Sequence, residues 1–262
     1  HDALPILNPY ERNSMQTFYI STNQITKNNT IYIDGDDYNH IKNVLRLKIN
    51  EKIWICDNNQ KRYYVNLEKY DIEQSRVYFS IIEKTDFTTE PIINIDLYQG
   101  LPKGEKFEII IQKATELGIN EIFPVCMNRT IVKIDSDSEQ KKLERWNKIA
   151  KEASKQSGRQ KIPIVSRITN LKNFIENIEK YDIVLLPFEN EHSVSIKTIL
   201  DSNSKAKNIA IIIGPEGGFS DEEITQLTQN PNVKLCTLGS RILRTETAAI
   251  ATISMIIYKF DL

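Results

Sequence analysis

The sequence predicts an α/β protein in two parts, a small N-terminal β-barrel and a larger C-terminal α/β domain with a largely parallel sheet. Three observations predict it. Short β-rich runs crowd the first third of the chain, strands and helices alternate after Pro91, and two glycine-bearing turns stand where strands of the second part finish. A chain of 262 residues has room for one large or two modest domains with apolar cores.

Residues 1–14, "HDALPILNPYERNS", precede Met15 and are expected to be vector-derived sequence ahead of a native start, outside the fold. From Met15 to Glu83 the runs "TFYI", "TIYI", "KIWIC", "YYVNL" and "RVYFSII" are separated by clusters such as "DGDD" and "DNNQ", a pattern of short strands and turns. One short helix is predicted over Tyr38–Arg46. The polar stretch Lys84–Pro91 marks a boundary, so the barrel is assigned to residues 15–85 and the second domain to 86–262.

In the second domain "NIDLYQGL" reads as a strand. "KGEKFEIIIQKATELG" reads as a helix with Phe107, Ile110, Ile111, Ala114 and Leu117 on one face and Gly118 as its stop. The strand "EIFPVC" follows. Then come a helix over Lys141–Ser157, strands over Ile183–Pro187 and Asn208–Ile213, a helix over Ser220–Gln229, a strand over Val233–Leu238 and a helix over Thr245–Tyr258. In sheets of this kind ligands bind beyond the carboxyl ends of the strands.

The formal charge of −1 excludes a global attraction to nucleic acid or membrane, so any polyanion site has to be a local patch. Cys56, Cys126 and Cys236 each sit in an apolar run, which predicts reduced thiols packed in cores. No zinc spacing is present among the three cysteines and three histidines, and no metal is expected. No run of about eighteen apolar residues and no signal peptide is visible, which predicts a cytoplasmic location and no membrane partner.

The first turn, Gly214-Pro215-Glu216-Gly217-Gly218, follows the run "AIII". It lacks the lysine of a phosphate loop and the spacing of a dinucleotide fingerprint, and Glu216 would repel a phosphate. It equally fits a plain strand-to-helix connection capped by Ser220, with Asp221, Glu222 and Glu223 in the first helical turn. The second turn begins at Gly239, and the loop "SRILR" sets Ile242 and Leu243 between two arginines before Thr245, a candidate N-cap for a long apolar helix. Ile242 and Leu243 suit either a slot for a flat group or a plug for the core.

Taken together, "GPEGGFSDEE" and "LGSRILRTETAAIA" resemble the ribosomal RNA small subunit methyltransferase E family, the 16S rRNA uracil-N3-methyltransferases of the SPOUT superfamily. "HIKNVLRLK", "YQGLPKGEKFEIIIQKATELGI" and "WNKIAKEASKQSGRQKIP" are similar to the same family, so the likeness spans the chain from Met15 onward. It implies a PUA-like N-terminal barrel, a C-terminal domain tied in a deep trefoil knot, and a homodimer. It also implies S-adenosylmethionine as methyl donor and, as partner, 16S rRNA in the small ribosomal subunit. That donor carries a sulfonium and no phosphate, so a carboxylate in the turn is no obstacle.

The resemblance further implies a donor pocket from three segments: Leu185, Leu186 and Pro187; Ile213, Gly214, Pro215, Glu216, Gly217 and Gly218; and Leu238, Gly239, Ser240, Arg241, Ile242 and Leu243, with Thr247 beyond them. Leu186, Ile242 and Leu243 would wall the adenine. Methylation at uracil N3 requires loss of the imide proton and stabilisation of the anion that forms, which makes Arg244 and Glu246 the candidate catalytic pair, with Arg159 and Glu216 as alternatives for the two roles. Because Glu139–Lys161 holds eight basic and three acidic residues, net +5, phosphate contacts are expected from Lys155 and Arg159, with Gln156 beside them. Arg46, Lys48, Arg62 and Lys103 complete the expected RNA contacts.

His40 reads as a structural residue, and Tyr63 and Tyr64 as a stacking face or as packing. Where the family carries arginines near its N-terminus, this chain has Gln16 and Thr17. The residues leave two other readings open, a SPOUT methyltransferase for another RNA position and an RNA-binding module without catalysis.

Overall fold

The structure is a computed structural model that describes residues 17–26, 28–57, 59–86, 88–132 and 136–261. The readings made for residues 1–14 and Gln16 lie outside the described residues. Contacts divide the chain into two compact units, His1–Glu90 with Ser154–Lys161, and Pro91–Ala153 with Ile162–Leu262.

The first unit is built on five strands, β1 (Thr17–Ile20), β2 (Thr30–Ile33), β3 (Lys52–Asp57), β4 (Arg62–Asp71) and β5 (Arg76–Thr85), in the order β1-β3-β4-β5-β2. All neighbours are antiparallel except β1 and β3. Period-two alternation sends Phe18, Ile31, Ile55, Val65, Leu67 and Phe79 into one core. The helix expected over Tyr38–Arg46 starts earlier, as α1 (Gly35–Asn39), because Asp36 and Asp37 suit a first helical turn. It widens into a π turn over His40–Leu45 and stops at Arg46, which adopts a left-handed φ of 52°.

In the second unit β6 (Asn94–Gly100), α2 (Lys106–Glu116), β7 (Glu121–Cys126) and α3 (Ser136–Ser157) come first. β8 (Ile164–Val165), β9 (Thr169–Asn170), α4 (Leu171–Ile175), β10 (Ile183–Pro187), α5 (Ile196–Ser202) and β11 (Asn208–Ile213) follow. The unit ends with α6 (Asp221–Thr228), β12 (Val233–Cys236) and α7 (Thr245–Phe260). Every pairing in this sheet is parallel, in the order β12-β10-β11-β6-β7-β8, with β9 also on β7.

Both sheet faces are covered, which is why these strands read as apolar runs rather than alternating ones. Ile95, Leu97, Leu185 and Ile211 face a core shared with Phe107 and Ile110 of α2 and with Ala249 and Ile253 of α7. Tyr98, Val184, Leu186 and Ile212 face the other core, with Phe174, Phe219 and Leu227. Trp146 of α3 meets Phe107 edge-on at 4.6 Å, and Ala150 is fully buried beside it. After β12 at the sheet's edge, the chain returns to set α7 against β11, β6 and α2. Among the described residues no helix is long and apolar enough to cross a membrane.

Three expectations need correction. Cys126 is exposed at the end of β7, where the strand has left the core, although Cys56 and Cys236 are buried and burial pushes their thiols up to about 12. Strand β12 stops two residues early, because Thr237 leaves the ladder for an isolated bridge to Ser195. Thr245 is the first residue of α7 rather than its cap. Arg244 stands at the cap, with ψ of 153° and no side-chain cap bond.

Candidate functional site

Three carboxyl ends lie side by side in the second unit: β10 at Pro187, β11 at Ile213 and β12 at Cys236, with β10 in the middle. The turn after β11 is fixed from several sides. Gly218 takes a left-handed φ of 66° and its amide donates to the Pro215 carbonyl at 2.9 Å. A side chain on Gly100, at the end of β6, would begin 2.5 Å from the Pro215 nitrogen, so the strand must end in glycine for the turn to lie against it. Ser220 then caps α6 through a reciprocal capping box with Glu223.

Thr245 connects this turn to α7. Its hydroxyl donates to the Gly214 carbonyl at 2.7 Å and accepts from Gln99 Nε2 at 2.8 Å. Gln99 is fully buried and its amide also donates to the Gly100 carbonyl. Strand β6, the turn and α7 are thereby tied at one point.

Glu216, exposed in the turn, accepts from the Lys103 amide at 3.0 Å and from Lys106 Nζ at 2.8 Å. Partial burial works against ionisation, but Lys106 and the backbone amides prevail and hold the carboxyl below its usual range. A carboxylate so engaged is a poor proton acceptor, which corrects the alternative that made Glu216 the base. On the other side, Arg129 donates from Nη1 to the Gly217 carbonyl at 2.9 Å. Asn128 reaches Glu223 through its amide at 2.8 Å and Ser220 through its side chain at 3.0 Å. The loop after β7 therefore braces the same turn.

The pocket residues fall into two groups. Leu185 and Leu186 are fully buried in opposite cores, so only their main chain is available at the strand end. The expectation that the Leu186 side chain walls an adenine is corrected, because the strand's alternation turns it inward. Pro187 and Gly218 are half-buried; Ile213, Gly214 and Pro215 are buried; and Glu216 and Gly217 are exposed. In the second turn Leu238 and Leu243 are half-buried, while Gly239, Ser240 and Arg241 are exposed. Ile242 is 89% exposed, so it plugs no core. Thr247 and Arg244 are exposed. Glu246 is half-buried, and its Oε2 is buried without a hydrogen-bond partner among the described residues.

Of the residues expected to meet RNA, Arg46, Lys48, Lys103 and Gln156 are exposed. Arg62, Lys155 and Arg159 are not, and their reading as phosphate contacts is corrected. Arg62 is buried with its guanidinium 4.2 Å from the Trp54 ring centroid. Lys155 pairs with Asp37 at 2.8 Å. Arg159 pairs with Glu90, whose carboxylate also accepts from the Gln160 and Lys161 amides at 2.9 and 3.1 Å. Lys141, Lys142, Arg145 and Lys148 keep the exposed face of α3 cationic, although Arg145 is paired with Glu108 at 2.7 Å.

Bare main chain at the two turns that flank the end of β10, the candidate crevice, and the exposed apolar Ile242 suit a ligand with a flat face. Among the described residues no group of three His, Cys, Asp or Glu side chains is placed to hold a metal ion.

A family profile described as an RNA methyltransferase domain matches residues 88–257, and one described as an RNA methyltransferase PUA domain matches residues 33–69. The ribosomal RNA small subunit methyltransferase E of Bacillus subtilis is 35% identical over 254 residues, covering 95% of this chain and 98% of that protein. The chain belongs to the ribosomal RNA small subunit methyltransferase E family. The family member from Mesomycoplasma hyopneumoniae is also 35% identical, over 90% of this chain and 96% of that one.

Among solved structures, the family member of Neisseria gonorrhoeae, bound to S-adenosyl methionine, superposes with a TM-score of 0.79 at 29% identity, covering 94% of this chain and 98% of that one. A Legionella pneumophila protein solved with the cofactor SAM gives 0.81 at 30%, covering 95% and 99%. The fold is that of the family, a PUA-like β body followed by a SPOUT-type α/β domain.

In this methyltransferase E fold, four residues near the turns escaped the sequence reading. Gln99 looked like any strand residue. Lys106 and Arg129 were visible only as charges near strand ends. Glu189, two residues past β10, carried no motif at all.

Proposed function

We propose that the protein is an S-adenosylmethionine-dependent methyltransferase acting on N3 of a specific uridine in 16S rRNA, within the small ribosomal subunit. It works as a cytoplasmic homodimer, with residues 15–85 as the RNA-binding barrel and 86–262 as the knotted catalytic domain. One observation carries the reading: the glycine turns after β11 and β12 flank the end of β10, and Arg244 and Glu246 open α7 directly after the second turn. The return of the chain from the edge strand to α7 supports the knotted topology.

The donor, when bound, supplies a methyl group on a positively charged sulfur. This chain's part is to bind, align and move a proton. Main-chain groups of residues 213–218 and 238–243 hold the donor against the strand ends, and Ile242 covers its flat part. The uridine has to be unpaired or flipped for its Watson–Crick edge to enter. Glu246 accepts the N3 proton at its unpartnered Oε2. Arg244 stabilises the negative charge that develops on the base. Alignment of the two reactants supplies much of the remaining acceleration. Arg46, Lys48, Lys103, Gln156 and the α3 lysines contact RNA, so binding weakens as salt rises.

The test is incubation with small subunits lacking the modification, followed by mapping of the methylated nucleotide. N3-methyluridine at one position is expected. Another modified atom overturns the assignment, and RNA binding without methyl transfer would leave only a binding module.

A further inference from the structure

Of the carboxylates near the strand ends, Glu246 keeps one oxygen without a partner among the described residues, but Glu216, Glu191 and Glu223 are engaged. Glu216 holds Lys106 and the Lys103 amide. Glu191 accepts from Ser193 Oγ at 2.6 Å and from the Ser193 and Val194 amides at 2.7 and 2.9 Å. Glu223 accepts from the Ser220 and Asn128 amides, both at 2.8 Å. Glu189 differs from these. Among the described residues it has no hydrogen-bond or ion-pair partner, it is exposed, and it rises from the end of the middle strand, two residues after Pro187.

Its position is nevertheless defined. Oε1 lies 2.9 Å from the point where a side chain on Gly218 would begin, so the carboxylate leans over the bare main chain of the first turn. The chain beneath it is held: the Phe188 amide donates to the Cys236 carbonyl at 3.0 Å, and the Glu191 amide donates to the Phe188 carbonyl at 3.1 Å. A carboxylate with no ion-pair partner among the described residues therefore stands over the first turn, beside the glycine that leaves room for it. An anionic ligand there would be repelled, and a cationic one held.

We propose that Glu189 is a donor-binding residue that recognises the positive charge of the methyl donor, through its α-ammonium or its sulfonium. This rests on the assignment of S-adenosylmethionine as donor. It gives the crevice a means of telling donor from product if the sulfonium is the group read, because methyl transfer turns the sulfonium into a neutral thioether. It gives the amino-acid end an anchor if the ammonium is read.

Calorimetric titrations of the full chain and its Glu189→Gln variant, at low salt, test the proposal with three ligands. S-adenosylmethionine carries both cations, S-adenosylhomocysteine only the ammonium, and 5′-methylthioadenosine neither. The variant is expected to bind S-adenosylmethionine about tenfold more weakly, the scale of one partly exposed charge-assisted contact, and methylthioadenosine unchanged. A parallel loss for S-adenosylhomocysteine assigns the contact to the ammonium; its sparing assigns it to the sulfonium. Equal affinity of variant and parent for S-adenosylmethionine overturns the proposal, as does an equal loss for methylthioadenosine. If the parent binds none of the three, the donor assignment itself falls and the proposal with it. An unchanged thermal midpoint for Glu189→Gln shows that the fold is retained, and the same titrations with Glu189→Ala repeat the comparison without an amide.

Discussion

The hydroxyl of Thr245 donates to the carbonyl of Gly214 at 2.7 Å, across 31 residues of chain, and so fastens the start of α7 to the end of β11. The same oxygen receives the buried amide of Gln99. Replacing Thr245 with valine keeps the shape and removes the hydroxyl, leaving a buried carbonyl and a buried N–H without their partner. The expected loss is about 1–3 kcal/mol of unfolding free energy, measured by urea denaturation. Donor affinity should fall with it, because the turn loses its tether. A change within a few tenths of a kcal/mol would show that the node is not holding the turn.

Two glycines near the site should respond differently to alanine. At Gly100 the new carbon would lie 2.5 Å from main-chain nitrogen, which has nowhere to go, so a loss of about 3 kcal/mol is expected. At Gly239 nothing stands within 4 Å, and only the left-handed φ of 119° is strained, which costs about 1–2 kcal/mol. Thermal midpoints of the two variants should therefore rank Gly239→Ala above Gly100→Ala.

Arg159 and Glu90 form a buried pair within the first unit. Removing either partner strands a charge away from water, so Arg159→Met and Glu90→Gln should each destabilise by about 3–5 kcal/mol. The slope of log RNA affinity against log salt should stay as in the parent. A slope shallower by about one for Arg159→Met would mean that this residue contacts a phosphate after all.

The carboxyl of Glu191 is held down to about 2, first by the Ser193 hydroxyl and then by the Val194 and Ser193 amides. Its folded value lies below the ordinary value of about 4.3, so its stabilising contribution is complete above that pH and is lost as pH falls toward about 2. Carboxyl carbon shifts followed by NMR should give a midpoint near 2 for Glu191. Glu191→Gln should leave stability below that midpoint close to the parent's.

Local sequence carried much of this architecture. The β-branched runs of β10 and β11 begin and end where they were expected, because strands covered on both faces need little beyond continuous apolar character. Ser220 was legible as a cap, since a capping box is written within four residues. What could not be read depends on distant partners. Lys155 and Arg159 look like surface cations until Asp37 and Glu90, 118 and 69 residues away, turn them inward. Gln99 gains its meaning from Thr245, 146 residues later. Leu185 and Leu186 both turn into cores because both faces of the sheet are covered, which a five-residue apolar run does not state by itself.

Strand β10 separates the two strands that carry the glycine turns. Its length thus works as a gauge for whatever spans them. One residue inserted or deleted within Ile183–Pro187 would move the floor of the crevice by about 3.3 Å and carry Glu189 away from Gly218. Length changes during divergence should spare this stretch and collect in connections at the far rim of the sheet.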